Sequence, residues 1–150
     1  TIFSFYYDNR ANSLYRQTVT IEWWNTQRKY YALYTSYFTL AEINNPIYTN
    51  WEKASGLTQD IPILKTTDEI KGIIKIYMEN NLMPKDDTGD AAHLAIASYH
   101  SMDYLLTWNC KHLANANKKE HINLINLRLG LMTPEIITPE QLFREENYVR

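Results

Sequence analysis

The chain holds a single cysteine, Cys110, in 150 residues. It can close no intramolecular disulfide, which is the usage of a reducing compartment. Its four glycines, Gly56, Gly72, Gly89 and Gly130, stand apart from one another. Without a G-x-G-x-x-G or G-x-x-x-x-G-K run, dinucleotide and P-loop phosphate binding are excluded. No G-x-S-x-G elbow presents a serine nucleophile. No apolar run nears the roughly 18 residues that span a bilayer, and no basic stretch leads into an apolar segment as in a signal peptide. The expectation is a soluble, cytoplasmic protein. A positive excess is also absent: 15 Lys and Arg face 17 Asp and Glu. Any contact with nucleic acid therefore has to come from a local basic patch or a metal ion.

What is present is ordinary globular composition, 45% hydrophobic and 21% charged, enough for one domain over 1–150. Thr1 to Tyr7 is β-branched and aromatic and reads as a strand. Asp8 to Asn12 reads as a loop, and Leu14 to Trp24 has helical spacing. Tyr30 to Thr35 reads as a short buried strand. Ser36 is a candidate N-cap for a helix ended by Asn44-Asn45-Pro46. A helix over Ile47 to Ser55 stops at Gly56, and Ile61 to Leu64 reads as a strand. Thr66 with Glu69 suggests a capping box for a helix that buries Ile70, Ile73, Ile74 and Tyr77. After a loop over Leu82 to Gly89, Asp90 opens a further helix. Tyr104 to Thr107 is a strand and Lys111 to Leu129 a helix, in one or two pieces, with Gly130 at its end. Glu135 to Ile137 is a last strand, and Pro139 starts a short helix.

Strands alternating with helices give an α/β domain with a mostly parallel sheet. Ligands in such sheets sit at the carboxyl ends of strands. Glu42, Asp90 and Asn109 all fall there. Clustered carboxylates repel unless a hard divalent cation holds them. Each residue also has a plain reading: Asp90 as a partner of a helix dipole, Glu42 as a solvated helix residue, Asn109 as a turn former. His93 and His100 lie about 10.5 Å apart along one helix, too far to share a zinc ion. His93 reads as packed or hydrogen-bonded beside Asp90, and His112 approaches the same rim. The 12 tyrosines either stack on bases or pack half-buried with the hydroxyl at the surface. A receiver-like fold is disfavoured, since no Asp-Asp pair follows a first strand.

The runs Gly89-Asp90-Ala91-Ala92-His93-Leu94-Ala95-Ile96-Ala97 and Tyr104-Leu105-Leu106-Thr107-Trp108-Asn109-Cys110-Lys111-His112 resemble the C-terminal half of PIN domains. The opening Thr1 to Tyr7 and the closing Thr133 to Leu142 resemble the same family. The likeness is greatest to the VapC-like toxin branch of type II toxin–antitoxin systems, and it covers essentially the whole chain. It implies a PIN-like fold, with a mostly parallel central sheet flanked by helices on both faces.

It also implies a metal-dependent endoribonuclease with an acidic quartet around Mg2+ or Mn2+, hydrolysing RNA phosphodiester bonds with a metal-activated water. Glu42 matches the second acidic position and Asp90 the third. Asn109, after Thr107-Trp108, stands at the fourth and offers a neutral carbonyl oxygen in place of a carboxylate. The first falls at the end of a first strand, just before Thr1, and is not in this chain. The chain opens without methionine, so either methionine was removed or the natural start lies upstream. The resemblance gives Thr107 the role of orienting the cluster, and Lys111 and His112 that of contacting RNA phosphates. It implies a cognate antitoxin protein that inserts a segment into the acidic groove. It implies a homodimer too; Tyr15, Trp23, Trp24 and Tyr30 read either as its surface or as core residues. The missing carboxylate and Asn109 leave an alternative: a catalytically impaired PIN-like module that binds RNA or an antitoxin-like protein.

Overall fold

In the computed structural model, which describes residues 1–47 and 49–145, the chain runs α1 (Ile2–Tyr6), α2 (Leu14–Thr26), β1 (Thr35–Ser36), α3 (Tyr37–Ile43), α4 (Trp51–Gly56), β2 (Ile63–Leu64), α5 (Asp68–Glu79), α6 (Thr88–Tyr99), β3 (Tyr104–Leu106), α7 (Ala116–Arg128) and β4 (Glu135–Ile137). Short 3-10 turns occupy Ala11–Ser13, Arg28–Tyr30 and Pro139–Leu142. No helix among the described residues is long and apolar enough to cross a membrane.

Several elements form for the reasons the sequence offers. Ser36 caps α3 by accepting a hydrogen bond from the Thr39 amide, and Asn44 ends that helix. Gly130 follows α7 with φ of 69°, a left-handed conformation that glycine takes without steric cost. The turn at Pro139 carries a full capping box between Thr138 and Gln141.

Others differ from the expectation. Thr1 to Tyr7 is helical, not a strand. The Thr1 hydroxyl accepts from the Ser4 amide, and Phe3 and Tyr6 pack edge-on against Trp24. Tertiary packing outweighs β propensity here. Tyr30 to Thr35 is not a continuous strand, because pairing begins only at Thr35. The helix expected from Ile47 begins at Trp51, and Tyr48, inside that expected span, lies outside the described residues. The cap of α5 is Thr67 rather than Thr66. Asp90 does not open α6: Asp87 caps it and Asp90 lies in its first turn. Lys111 to Ala114 forms turns, and α7 begins only at Ala116.

All strand pairing is parallel. β1 pairs with β2 in the register Thr35 to Ile63 and Ser36 to Leu64. β3 pairs with β4, aligning Tyr104 with Glu135 and Leu106 with Ile137. Among the described residues these are two separate two-stranded sheets, not one central sheet.

The main core lies among α5, α6 and α7. Ile70, Ile73 and Tyr77 meet Ala91, Leu94 and Ala95, with Ile122 and Ile125 closing the layer. Each large apolar side chain buried there contributes about 1.5–3 kcal/mol. Asn126, fully buried, ties this core together. It accepts from the Tyr77 hydroxyl and donates to Ser98 Oγ at 3.1 Å and Thr133 Oγ1 at 2.9 Å. A second cluster of Trp23, Trp24, Ile61 and Leu142 packs against Leu106 of β3 and Ile137 of β4. Trp23 and Trp24 are thus core residues, while Tyr15 and Tyr30 remain exposed.

Candidate functional site

The site is assembled where β1 gives way to α3, where α6 begins, and where β3 ends. Past β3, the Thr107 amide extends the ladder by donating to Ile137 O at 2.9 Å. The next residue, Trp108, is buried and donates from its indole to Thr20 Oγ1 at 2.9 Å. This anchors the following turn to α2. The Thr107 hydroxyl accepts from the Asn109 amide at 3.0 Å. Asn109 Oδ1 accepts from the backbone N–H of Lys111 at 3.1 Å and of His112 at 3.0 Å. With its oxygen engaged in the turn, Asn109 presents its amide nitrogen to Asp90, donating to Oδ2 at 2.6 Å. Thr107 therefore reaches Asp90 through Asn109. In this orientation Asn109 is a hydrogen-bond donor to the carboxylate cluster rather than an oxygen ligand within it.

Glu42 arrives from the last turn of α3. Its Oε1 lies 2.9 Å from His93 Nε2, one turn along α6 from Asp90, so α3 and α6 are joined at the rim. Glu42 also passes close to Gly89, where a Cβ would lie 3.1 Å from its Oε1, a tight contact that a small shift of the glutamate relieves. Asp87 accepts from the Asp90 amide at 3.3 Å, and its Oδ2 lies 3.8 Å from His112 Nε2.

These groups perturb one another. Asp90 is pushed up to about 7, first by burial, then by its hydrogen bond and charge contact with Asp87, with Glu42 adding repulsion. Asp87 is held below its ordinary value, chiefly by the Asp90 side-chain hydrogen bond. For Glu42, burial is the largest influence and raises the pKa. The hydrogen bond and charge of His93, with the charge of the Thr1 α-amine, act against it, and the net shift is downward. A carboxyl near neutrality beside two ionised ones marks a place where negative charge is crowded.

The structure brings Glu42 and Asp90 to one rim and sets Asn109 against Asp90. Asp87 and His93 belong to the same constellation; Asp87 does not stand out in the sequence, whereas His93, expected to be packed or hydrogen-bonded beside Asp90, pairs with Glu42 instead. A signal for Asp87 existed: Asp87 and Asp90 hold the N-cap and N3 positions of a capping-box spacing. For His93 the signal was its place three residues from Asp90, on the same helix face. Beside the rim, a shallow cavity of about 470 Å³ is lined by Met83, Lys85, Lys111, His112 and Lys118. A larger cavity of about 1040 Å³ opens at Glu42, Asp90, His93 and Asn109 and runs inward.

The donor chemistry suits a hard divalent ion. Carboxylate oxygens are its preferred ligands, and Asp90 stands half-buried with the charges of Asp87 and Glu42 beside it. Glu42 and Asp90 would hold such an ion, with Asp87 beside them. Among the described residues no three His, Cys, Asp or Glu side chains form a group that could hold a metal ion. A scan against protein-family models, a search of curated proteins and a search of solved structures each find no match to this chain.

Proposed function

We propose that this chain is a PIN-like, Mg2+- or Mn2+-dependent endoribonuclease, the toxin of a toxin–antitoxin pair. One observation carries the reading: Asp90, held near neutrality beside Asp87 and Glu42, lies next to a lysine-lined surface. Under this reading the two parallel ribbons belong to one central sheet flanked by helices on both faces. A divalent ion at the rim supplies water activation and neutralises charge on a phosphate undergoing displacement. Glu42 and Asp90 hold it, and Asn109 fixes the Asp90 carboxylate by hydrogen bonding. His93 fixes Glu42. Lys111 and His112, with Lys85 and Lys118 alongside, bind the phosphates on either side of the scissile bond. An antitoxin segment would occupy the same acidic groove, and a homodimer would use the exposed aromatic surface around Tyr15 and Tyr30.

A second reading rests on Asn109, whose carbonyl oxygen is tied to the Lys111 and His112 amides. With that oxygen unavailable, the chain is a PIN-like module that binds RNA or an antitoxin-like protein without cutting. Cleavage of an end-labelled RNA separates the two. The nuclease reading predicts cutting with Mn2+, none with chelator, and at least a hundredfold loss in Asp90→Asn. A folded protein that binds RNA but cuts under neither metal supports the binding module.

A further inference from the structure

The arginines of this chain are held in different ways. Arg10 forms an ion pair with Asp8 at 2.6 Å. Arg28 and Arg144 lie over the rings of Trp24 and Tyr30, and neither lines the two cavities at the rim. Arg16 does line one of them. It is exposed on α2, with its guanidinium carbon 5.6 Å from the centre of the Phe5 ring and 5.8 Å from that of Trp108. These distances stand near the roughly 6 Å limit of cation–π attraction, where the contribution at an exposed site is small. Among the described residues the Arg16 guanidinium has no carboxylate partner and no hydrogen-bond acceptor. A guanidinium set over aromatic faces keeps its in-plane N–H donors free, and their fork matches a phosphate.

Trp108 puts Arg16 where it is. The Trp108 indole donates to Thr20 Oγ1 at 2.9 Å. The Thr20 hydroxyl in turn donates to Arg16 O, one turn back along α2, at 2.6 Å. Trp108 also directly precedes Asn109, whose amide donates to Asp90. One side chain therefore seats Arg16 beside the turn that faces the carboxylates. Among the described residues, Arg16 and Lys111 are the only arginine and lysine that line the larger cavity, and they share it with Glu42, Asp90 and Asn109. Lys111 also lines the shallow cavity, with Lys85 and Lys118. It thus links the lysine surface to the cavity that Arg16 lines. A net charge of -2 conceals this local row of positive groups.

We propose, on the ribonuclease reading above, that Arg16 is a substrate-binding residue: its guanidinium takes a phosphate of a single RNA strand that runs from the Lys85 and Lys118 surface, past Lys111 and the Asp90 rim, to α2. The scissile phosphate then lies between phosphates held on both sides. Arg16 supplies affinity and register and takes no part in bond breaking.

Four proteins test this: the 150-residue chain, Arg16→Gln, Arg16→Lys and Arg144→Gln. The last removes the same charge from an arginine that also lies over an aromatic ring. Binding of a labelled single-stranded RNA is measured in chelator across a range of salt, and cleavage of the same RNA in Mn2+. Arg16→Gln should bind at least roughly fivefold more weakly than the parent, and the slope of log K against log salt should fall by about 0.7, the loss of one single-strand phosphate contact. Arg16→Lys should keep that slope and bind roughly two- to threefold more weakly, because the point charge stays and the fork is lost. Arg144→Gln should match the parent. In Mn2+ the KM of Arg16→Gln should rise by the same factor as its binding weakens, with kcat within about twofold of the parent. A purely structural role for Arg16 would not move the salt slope. If the parent cuts RNA and Arg16→Gln binds with the affinity and slope of Arg144→Gln, the Arg16 contact is overturned and the nuclease stands. If nothing is cut and binding still weakens with a lower slope in Arg16→Gln, the nuclease fails and the contact stands. No RNA binding by the folded parent overturns both. Should Arg16→Gln not fold, Arg16→Lys decides: weaker binding supports the contact, and binding equal to the parent overturns it.

Discussion

Asn126 of α7 and Asp90 of α6 are both polar groups drawn into the protein, and their neighbours treat them in opposite ways. Asn126 is fully buried, yet its oxygen accepts from Tyr77 and its amide donates to Ser98 and Thr133. Each of its hydrogen-bonding atoms is matched. Asp90 is half-buried beside Asp87 and Glu42, and it receives one strong donor, Asn109. The first neighbourhood is closed and needs nothing from outside. The second carries more negative charge than its surroundings compensate, so a cation has something to add there.

The largest effect should come from opening the closed region. Asn126→Ala leaves the Tyr77, Ser98 and Thr133 hydroxyls short of partners and creates a small void, at a cost of about 3–4 kcal/mol. Denaturant unfolding would measure it, and a loss under about 1 kcal/mol would mean that the network is not the closed unit described. At the rim the sign reverses. The Asp90 pKa is raised from 3.8 to about 7, so the folded state binds the extra proton in that window. The contribution of Asp90 to stability is therefore full at low pH and is lost as pH rises from about 4 through 7. Asp90→Asn removes this loss. It should stabilise the protein at pH 8 by on the order of 1–2 kcal/mol, after discounting for solvent screening, and leave it unchanged near pH 4. Thermal unfolding across pH checks this, and a variant destabilised at pH 8 would contradict it.

A smaller effect should appear on adding metal. Millimolar Mg2+ or Mn2+ at pH 8 should raise the unfolding temperature by roughly 2–4 °C in the parent and not in Asp90→Asn. Equal shifts in both would place the ion elsewhere. The smallest effect belongs to His93. The Glu42 pKa is lowered in the folded state, so its contribution is present above about pH 4.5 and lost as pH falls below it. His93→Ala should cost about 0.5–1 kcal/mol near pH 6 and flatten the acid limb of the stability profile. An unchanged acid limb would show that His93 does not set the Glu42 carboxylate.

Much of the α5–α7 core was legible in the sequence. Ile70, Ile73 and Tyr77 recur at helical spacing, and Tyr104 to Leu106 and Glu135 to Ile137 are short apolar runs bounded by turn residues. Local pattern was sufficient there because burial and periodicity point the same way. The opening segment misled for the opposite reason. Thr1 to Tyr7 has strand-forming residues, but its structure is set by contacts with Trp24, far along the chain. At the site, Glu42 and Asp90 were visible as carboxylates near strand ends. The orientation of Asn109 was not, because it depends on a turn closed by the Lys111 and His112 amides. Nor was the pairing of His93 with Glu42, which requires α3 to pack against α6.

The most direct test of the rim as a cation site is Mn2+ binding followed by water-proton relaxation, at a pH above the Asp90 value of about 7, in the parent chain and in Asp90→Asn. The account predicts saturable binding to the parent and at least tenfold weaker binding to the variant, a difference of about 1.4 kcal/mol or more. Equal binding by the two proteins, or none by either while both remain folded, would contradict it.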